Sequence, residues 1–358
     1  MYTLAYLMLY NCEYMKRIEA VDLFCGIGGL TYGLRQAGVN VIAGLDNDKS
    51  CRYTYETNNN AKFIDADISE YDFNEMKRLF SKGSIKVLVG CAPCQTFSSN
   101  TFKIDREKKQ NDKRWTLINY FTEAVRVIQP EVISMENVRG IVKTQVFKDF
   151  VEDLRALGYS IDYDVLYLPE YGVPQNRSRM VLVGSRIGDI KVPKKTHKKG
   201  EYITVGEVIR DLPQIGAGGI SLSDPLHKAK NLSDINIERL KQSKPGGTWR
   251  DWDPELLPNC YRKPSGSTFT SVYGRMKWDS VAPTMTTQFF NFGSGRFGHP
   301  EQNRALSLRE GAIIQTFPKN YDFGTGVAMS TLGRHIGNAV PPRLGKVLGD
   351  LIKGHVSA

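Results

Sequence analysis

Ile18-Glu19-Ala20-Val21-Asp22-Leu23-Phe24, then Cys25-Gly26-Ile27-Gly28-Gly29, then Leu30 to Ala37 closed by Gly38, read as strand, glycine turn and helix. The first run is apolar enough for a buried strand. The glycines let the backbone turn tightly and come close to a ligand. This is the opening unit of a nucleotide-cofactor fold, in which ligands collect at the C-terminal ends of the strands. Such a turn also serves as a plain tight connection. A second strand, Val39 to Leu45, ends at Asp46. That carboxylate follows the turn by about twenty residues, a spacing suited to ribose hydroxyls. A third short strand ends near Asp65-Ala66-Asp67-Ile68. Thr31 stands where the dinucleotide fingerprint needs its third glycine, which disfavours NAD and leaves other adenosine cofactors open.

Outward from this unit, Ile85-Lys86-Val87-Leu88-Val89 reads as another buried strand. It runs into the loop Gly90-Cys91-Ala92-Pro93-Cys94-Gln95-Thr96-Phe97-Ser98-Ser99. Cys94, just past a strand's C-terminal end, is placed to act as a nucleophile once ionised. It could equally be a buried structural thiol. Cys91-x-x-Cys94 could be a redox or zinc pair. Asn100 to Arg114 is polar and rich in Lys and Arg, as in a lid over an anionic substrate or in a solvated linker. A helix, Trp115 to Ile128, leads to a strand, Glu131 to Met135, that ends in Glu136-Asn137-Val138. A helix from about Gln145 to Leu157 follows, then strands Ser160 to Leu168 and Arg179 to Gly184 around Gln175-Asn176-Arg177-Ser178-Arg179.

The chain has 358 residues, enough for a large domain and a smaller one. Its net charge of +10 favours an anionic partner, nucleic acid first. The six Cys form no regular framework, so they read as reduced thiols in a cytoplasmic protein. One Cys-x-x-Cys and dispersed histidines give no expected metal site. No apolar run is long enough for a membrane span. Residues 1–14 read as an N-terminal extension and make a poor signal peptide. From Ile187 the composition turns basic, then rich in Gly, Pro, Ser, Thr and aromatics as far as Arg304, an irregular and partly β insert. Asn303 to Phe317 regains helical periodicity, and a last helix spans Leu344 to Ile352.

A thiolate that adds to carbon 6 of cytosine makes carbon 5 nucleophilic, and an acid at ring nitrogen 3 assists. A sulfonium methyl donor then completes a methylation. Cys94, Glu136 and an adenosine cofactor fit that chemistry. In these motifs the chain resembles the DNA (cytosine-5)-methyltransferases of bacterial restriction-modification systems, over nearly its whole length. The resemblance implies a doubly wound, Rossmann-like α/β domain using S-adenosylmethionine, with a smaller target-recognition domain inserted. It divides the chain into residues 15–186, a recognition domain at 187–304, and a hinge with return to the catalytic domain at 305–358. It makes Cys94 the nucleophile and Glu136 the acid at nitrogen 3. Arg179 would hold the carbonyl of a flipped-out cytosine, with Arg177 in support. Phe24, Gly26, Ile27, Gly28, Gly29, Asp46, Asn47, Asp67, Ile68, Pro93, Leu117, Asn338 and Ala339 would line the cofactor pocket. Arg309-Glu310 and Gln315-Thr316-Phe317-Pro318 match the motif after the recognition region.

Gln95, Ser98, Lys103, Arg106, Arg262, Tyr273, Arg275 and Gln288 are the expected DNA contacts, with Arg250, Lys263, Lys277 and Arg296 as further basic or surface candidates. The implied partners are double-stranded DNA and a cognate restriction endonuclease, with no membrane, and the chain is expected to be a monomer. Cys91 reads as spectator packing at the strand end. The alternatives are a tRNA cytosine-5 methyltransferase and a catalytically silent DNA-binding module. The long insert favours DNA, because reading bases in the major groove needs dedicated loops.

Overall fold

The computed structural model describes residues 17–93, 117–263, 266 and 268–357. Packing divides the chain into two units. Met1–Leu166, Arg179–Lys194 and Gly345–Ala358 form the first, and Tyr167–Ser178 with Lys195–Leu344 form the second.

The first unit is built on a seven-stranded sheet. Its strands are β1 (Ile18–Leu23), β2 (Asn40–Asp46), β3 (Lys62–Asp65), β4 (Ile85–Gly90), β5 (Val132–Val138), β6 (Ser160–Tyr167) and β8 (Ser178–Ser185). The spatial order is β3-β2-β1-β4-β5-β8-β6. The first five run parallel, and β8 is antiparallel to β5. The chain steps outward from β1 to β3 and then returns to the far side of β1, so the order reverses between β1 and β4. In open α/β sheets a crevice opens at such a reversal. Gly90 closes that seam: a Cβ there would stand 2.6 Å from the Leu23 carbonyl oxygen.

Helices cover both faces, which is why the central strands are apolar throughout. On one face Val21, Leu23, Leu45, Leu88 and Ile133 pack with side chains of α3 (Phe73–Leu79), α4 (Leu117–Ile128) and α5 (Gln145–Ala156). On the other, α1 (Gly29–Gln36) presents Thr31 to Asp22 of β1, and α2 (Arg52–Asn59) presents Tyr55 to Gly44 of β2. The last helix, α10 (Pro342–Ser357), packs closely on α1 through two glycines. A Cβ at Gly345 would stand 2.7 Å from the Leu30 carbonyl oxygen, and one at Gly349 would stand 2.6 Å from Ala37 Cβ. The sequence placed these strands to within a few residues. It gave no helix at α2 or α3, both short and polar.

The second unit contains α6 (Val205–Ile209), α7 (Asp234–Gln242), α8 (Leu308–Ile314) and α9 (Met329–Asn338). Its β structure is slighter than the sequence suggested. Among the described residues it consists of β7 (Gln175–Asn176) paired with β9 (Ala282–Pro283), plus single bridges such as Ile220 with Lys228. Dense Gly and Pro interrupt any longer ladder. Aromatic packing takes over instead: Trp249 stacks on Tyr261 at 4.6 Å, and Trp252, Tyr273 and Phe292 meet edge to face or tilted. Both indoles are hydrogen-bonded, Trp249 to the Phe269 carbonyl and Trp252 to Ser243.

The unit limits differ from the expected 187 and 305. Packing keeps Ala305–Leu344 with the second unit because α8 is locked into it. Arg304, fully buried, makes a bidentate pair with Glu310 at 2.7 Å on both oxygens. Ser307 caps the helix onto the same carboxylate, and Gly311 leaves room for the Phe289 ring, which a Cβ would approach to 2.0 Å. Burial raises the Glu310 carboxyl, but the bonds and charge of Arg304 outweigh it, and the group is held below its ordinary range. Neighbouring His299 accepts from the Glu301 and Gln302 amides on Nδ1, and burial pushes its pKa down to about 4, so it stays neutral.

Glu310→Gln leaves the Arg304 guanidinium buried without its counter-charge. A loss of about 3–5 kcal/mol in unfolding free energy is expected. Urea denaturation followed by fluorescence measures it, and a loss under about 1 kcal/mol, the range of an exposed pair, contradicts the expectation.

Candidate active site

The glycine turn is shaped by positive φ at Phe24 (60°), Gly26 (49°) and Gly28 (83°). At Gly28 a side chain is excluded outright, since a Cβ would stand 2.3 Å from Asn59 Nδ2. At Gly26 the position of a Cβ meets nothing within 4 Å, so the turn faces open space. Asp46, at the end of β2, fastens the turn. Its Oδ2 accepts from the Gly26 amide at 2.8 Å and its Oδ1 from the Asp48 amide at 2.9 Å. Asn47 beside it is exposed, whereas Ile27 and Gly29 are buried. Asp67 is exposed and accepts from the amide and hydroxyl of Ser69, while Ile68 is buried in the core. Leu117 and Phe24 pack against that same core, and Pro93 is half-buried. A turn with room in front of it and a carboxylate at the neighbouring strand end fits an adenosine cofactor.

Behind the turn lies a buried polar chain. Thr31 donates to Asp22 at 2.7 Å and stands 3.2 Å from the Tyr55 hydroxyl. Burial pushes the Asp22 carboxyl up to about 7; the Thr31 hydrogen bond opposes this and the charge of Asp46 adds to it. Thr31, noted in the sequence only as a missing glycine, therefore has a function as the partner of Asp22. Cys25 is buried, and burial followed by the charges of Asp22 and Asp46 raises its thiol well above the usual range. It is a neutral thiol and no nucleophile.

The second cluster lies at the ends of β4 and β5. Glu136 is only 2% exposed. Arg179 Nε, on β8, lies 3.0 Å from its Oε1, and the Cys91 thiol donates to its Oε2 at 2.9 Å. Asn137 Nδ2 donates to the Ala92 carbonyl at 3.0 Å. Cys91 is thus more than packing, and Asn137 was not singled out by sequence. The signal for both lay in the strand register: Gly90 pairs with Met135, so residues 91 and 92 fall opposite 136 and 137. Cys94, Gln95, Ser98, Lys103 and Arg106, with the Asn100 to Arg114 segment, lie outside the described residues.

A family model of C-5 cytosine-specific DNA methylases matches residues 18–354. The chain belongs to that family. Among its relatives, the Type II methylase M.HgiDII of Herpetosiphon aurantiacus is 48% identical over 338 residues, covering 93% of this chain and 94% of the relative. The Type II methyltransferase M1.HphI of Haemophilus parahaemolyticus is 31% identical over 345 residues, covering 95% and 87%. Among solved structures, one described as a prophage-encoded DNA modification methyltransferase of E. coli superposes with a TM-score of 0.73 at 21% identity, over 95% of this chain and 100% of that one. The S. pombe Dnmt2 methyltransferase gives a TM-score of 0.62 at 18% identity, over 95% and 99%. These two likenesses show the fold.

This DNA (cytosine-5)-methyltransferase carries the remaining expected residues in its second unit. Arg177 is buried and donates from Nη1 to the Met285 carbonyl at 3.3 Å. Gln175 and Gln315 bond to each other at 2.5 Å, and Gln315 also donates to the Ile336 carbonyl, so two motifs distant in sequence share one buried network. Arg309 pairs with Asp224 at 2.6 Å. Asn338 ends α9 and is exposed, and Ala339 is half-buried.

Among the expected DNA contacts, Arg275 needs correction. It is only 4% exposed, and its guanidinium donates to the carbonyls of Leu240, His299 and Gln302 and to Asn303 Oδ1. It braces the unit from inside and presents no surface for a base. Tyr273 has its ring in the aromatic core, where it meets Trp252, Tyr261 and Phe292. Arg262 is exposed, with its guanidinium on the Leu257 and Glu255 carbonyls, and Gln288 is exposed and accepts from Asn291. Arg296 donates to the Gly246 carbonyl at 2.6 Å, while Arg250, Lys263 and Lys277 are exposed.

Asp22 generates a pH dependence. Folded, it keeps its proton up to about pH 7, whereas an unfolded Asp releases it near pH 3.9. The folded chain therefore binds more protons in that interval, and the contribution of Asp22 to stability falls as pH rises from about 4 to about 7. Asp22→Asn, which keeps an acceptor for Thr31, removes that fall. Denaturation midpoints at pH 5 and pH 8 should drop less in the variant than in the parent; equal drops contradict the shift.

Proposed function

We propose that this methylase transfers the methyl group of S-adenosylmethionine to carbon 5 of a cytosine flipped out of a specific duplex DNA sequence, through a covalent bond to Cys94. The observation that carries the reading is the buried Glu136 carboxylate, held by Arg179 on one oxygen and by the Cys91 thiol on the other, at the root of the loop that leads to Cys94. A base inside a duplex cannot meet such a site, so it must leave the stack.

The turn Phe24 to Gly29 and Asp46 would hold the cofactor, with Asp67, Ile68, Pro93 and Leu117 completing its pocket. When bound, S-adenosylmethionine supplies an electrophilic methyl. The Cys94 thiolate forms a bond to carbon 6 of cytosine while Glu136, as the acid, gives a proton to ring nitrogen 3, and carbon 5 becomes nucleophilic. After carbon 5 is methylated, its proton passes to a solvent base, the bond between sulfur and carbon 6 breaks to restore the thiolate, and nitrogen 3 returns its proton to Glu136 as the ring is restored. Arg179 holds Glu136 and, in this reading, also reaches the carbonyl of the cytosine, with Arg177 in support. Arg262 and Gln288 remain as exposed candidates for DNA contact within the second unit, which we read as the target-recognition part. The names of the relatives as Type II methylases support a place in a restriction-modification system, with a restriction endonuclease as partner. The chain's charge of +10 suits a DNA substrate.

Incubation with labelled S-adenosylmethionine tests this, with duplex DNA and a tRNA pool in parallel. Label is expected in DNA as 5-methylcytosine, absent with Cys94→Ser and reduced by about 10²–10⁴-fold with Glu136→Gln. Label in tRNA alone overturns the substrate. Undiminished label with Cys94→Ser overturns the nucleophile.

A further inference from the structure

Cys91 stands one residue past the end of β4, and its thiol donates to Glu136 Oε2 at 2.9 Å. The opposite oxygen, Oε1, faces Arg179 Nε at 3.0 Å. The two strands meet in register up to Gly90 with Met135, and the side-chain bonds Cys91 to Glu136 and Asn137 to the Ala92 carbonyl carry that register two residues further. The Cys91 amide is itself tied to the Leu23 carbonyl at 3.2 Å, so the thiol projects from fixed backbone.

We propose that Cys91 is a positioning residue for the reaction, holding the Glu136 carboxyl plane through Oε2 so that the group meets its substrate in one orientation. The proposal rests on the reading of Glu136 as the acid at ring nitrogen 3. The terminal torsion of a glutamate is soft and roughly two-fold. The contact at Oε1 is an ion pair without a hydrogen bond, which leaves the carboxyl free to turn; the hydrogen bond from Cys91 at Oε2 removes that freedom. Misaligned acids lose rate even when their chemistry is intact. A thiol suits the position because it is a weak donor. It fixes direction without binding the carboxyl group as strongly as a second cation would.

Three variants of the full chain separate this role from packing. Cys91→Ser keeps a donor, Cys91→Ala removes it, and Cys91→Val removes it while preserving apolar bulk. Steady-state methyl transfer to duplex DNA should show kcat lowered by about tenfold in the Ala and Val variants, with KM for DNA within about twofold, and kcat of the Ser variant within about threefold of the parent. A packing role predicts the reverse order, with Val and Ala tolerated and the polar Ser worst. Parent-like kcat in Cys91→Val, or equal losses in Ser and Val, overturns the proposal while Glu136 keeps its role. Glu136→Gln, run beside them, tests the reading beneath: parent-like kcat there removes both.

Discussion

A carboxylate buried at the end of a central strand must have its charge met where it stands, and the first unit is arranged to do this for Glu136. The counter-charge comes from β8, the strand that runs against its neighbours. Because β8 is antiparallel, it begins where β5 ends, and Val138 pairs with Arg179. A parallel strand in that place would start at the opposite edge of the sheet and could not bring its first residues to Glu136. The direction of one strand thus decides whether Arg179 can reach the buried carboxyl.

The same edge gathers the other reactive features. The glycine turn follows β1, Asp46 ends β2, and Cys91 follows β4. Each is held by backbone hydrogen bonds or by a side chain reaching across from a neighbouring strand, so their spacing is inherited from the pairing of the sheet. The second unit solves a different problem. With few regular ladders, it orders irregular chain through buried cations, using Arg304 on Glu310 and Arg275 on a ring of carbonyls. Some of the positive charge counted in the sequence is spent inside the protein and offers nothing to an anionic partner.

What was legible in the sequence was what rests on local pattern. The apolar runs of β1, β2, β4, β5 and β8 declare themselves, and the small residues after them mark the turns. Helices α2 and α3 were missed because each is short, and a few buried side chains, Thr54, Tyr55 and Asn59 in one and Phe73 and Met76 in the other, seat them. Arg275 was misread because a basic residue in a polar stretch looks solvent-facing. Its partners at Leu240 and His299 are remote in sequence, and nothing local announces them. Cys91 failed in the same way: a thiol in an apolar loop reads as filler until the strand register sets it against a carboxylate. The second unit runs past residue 305 because α8 is attached to it through Arg304 and Phe289, partners that helical periodicity alone does not reveal.

The first unit is assembled from three separate stretches of chain, and α10, the last of them, closes on α1 through Gly345 and Gly349. During synthesis the sheet from β1 to β5 can emerge from the ribosome early, but β8 must follow before Glu136 has its counter-charge. The groove on α1 stays uncovered until the final helix is made. Pairings across so long a separation form slowly. The first unit is therefore completed only after the stretch Lys195–Leu344 of the second unit has been made.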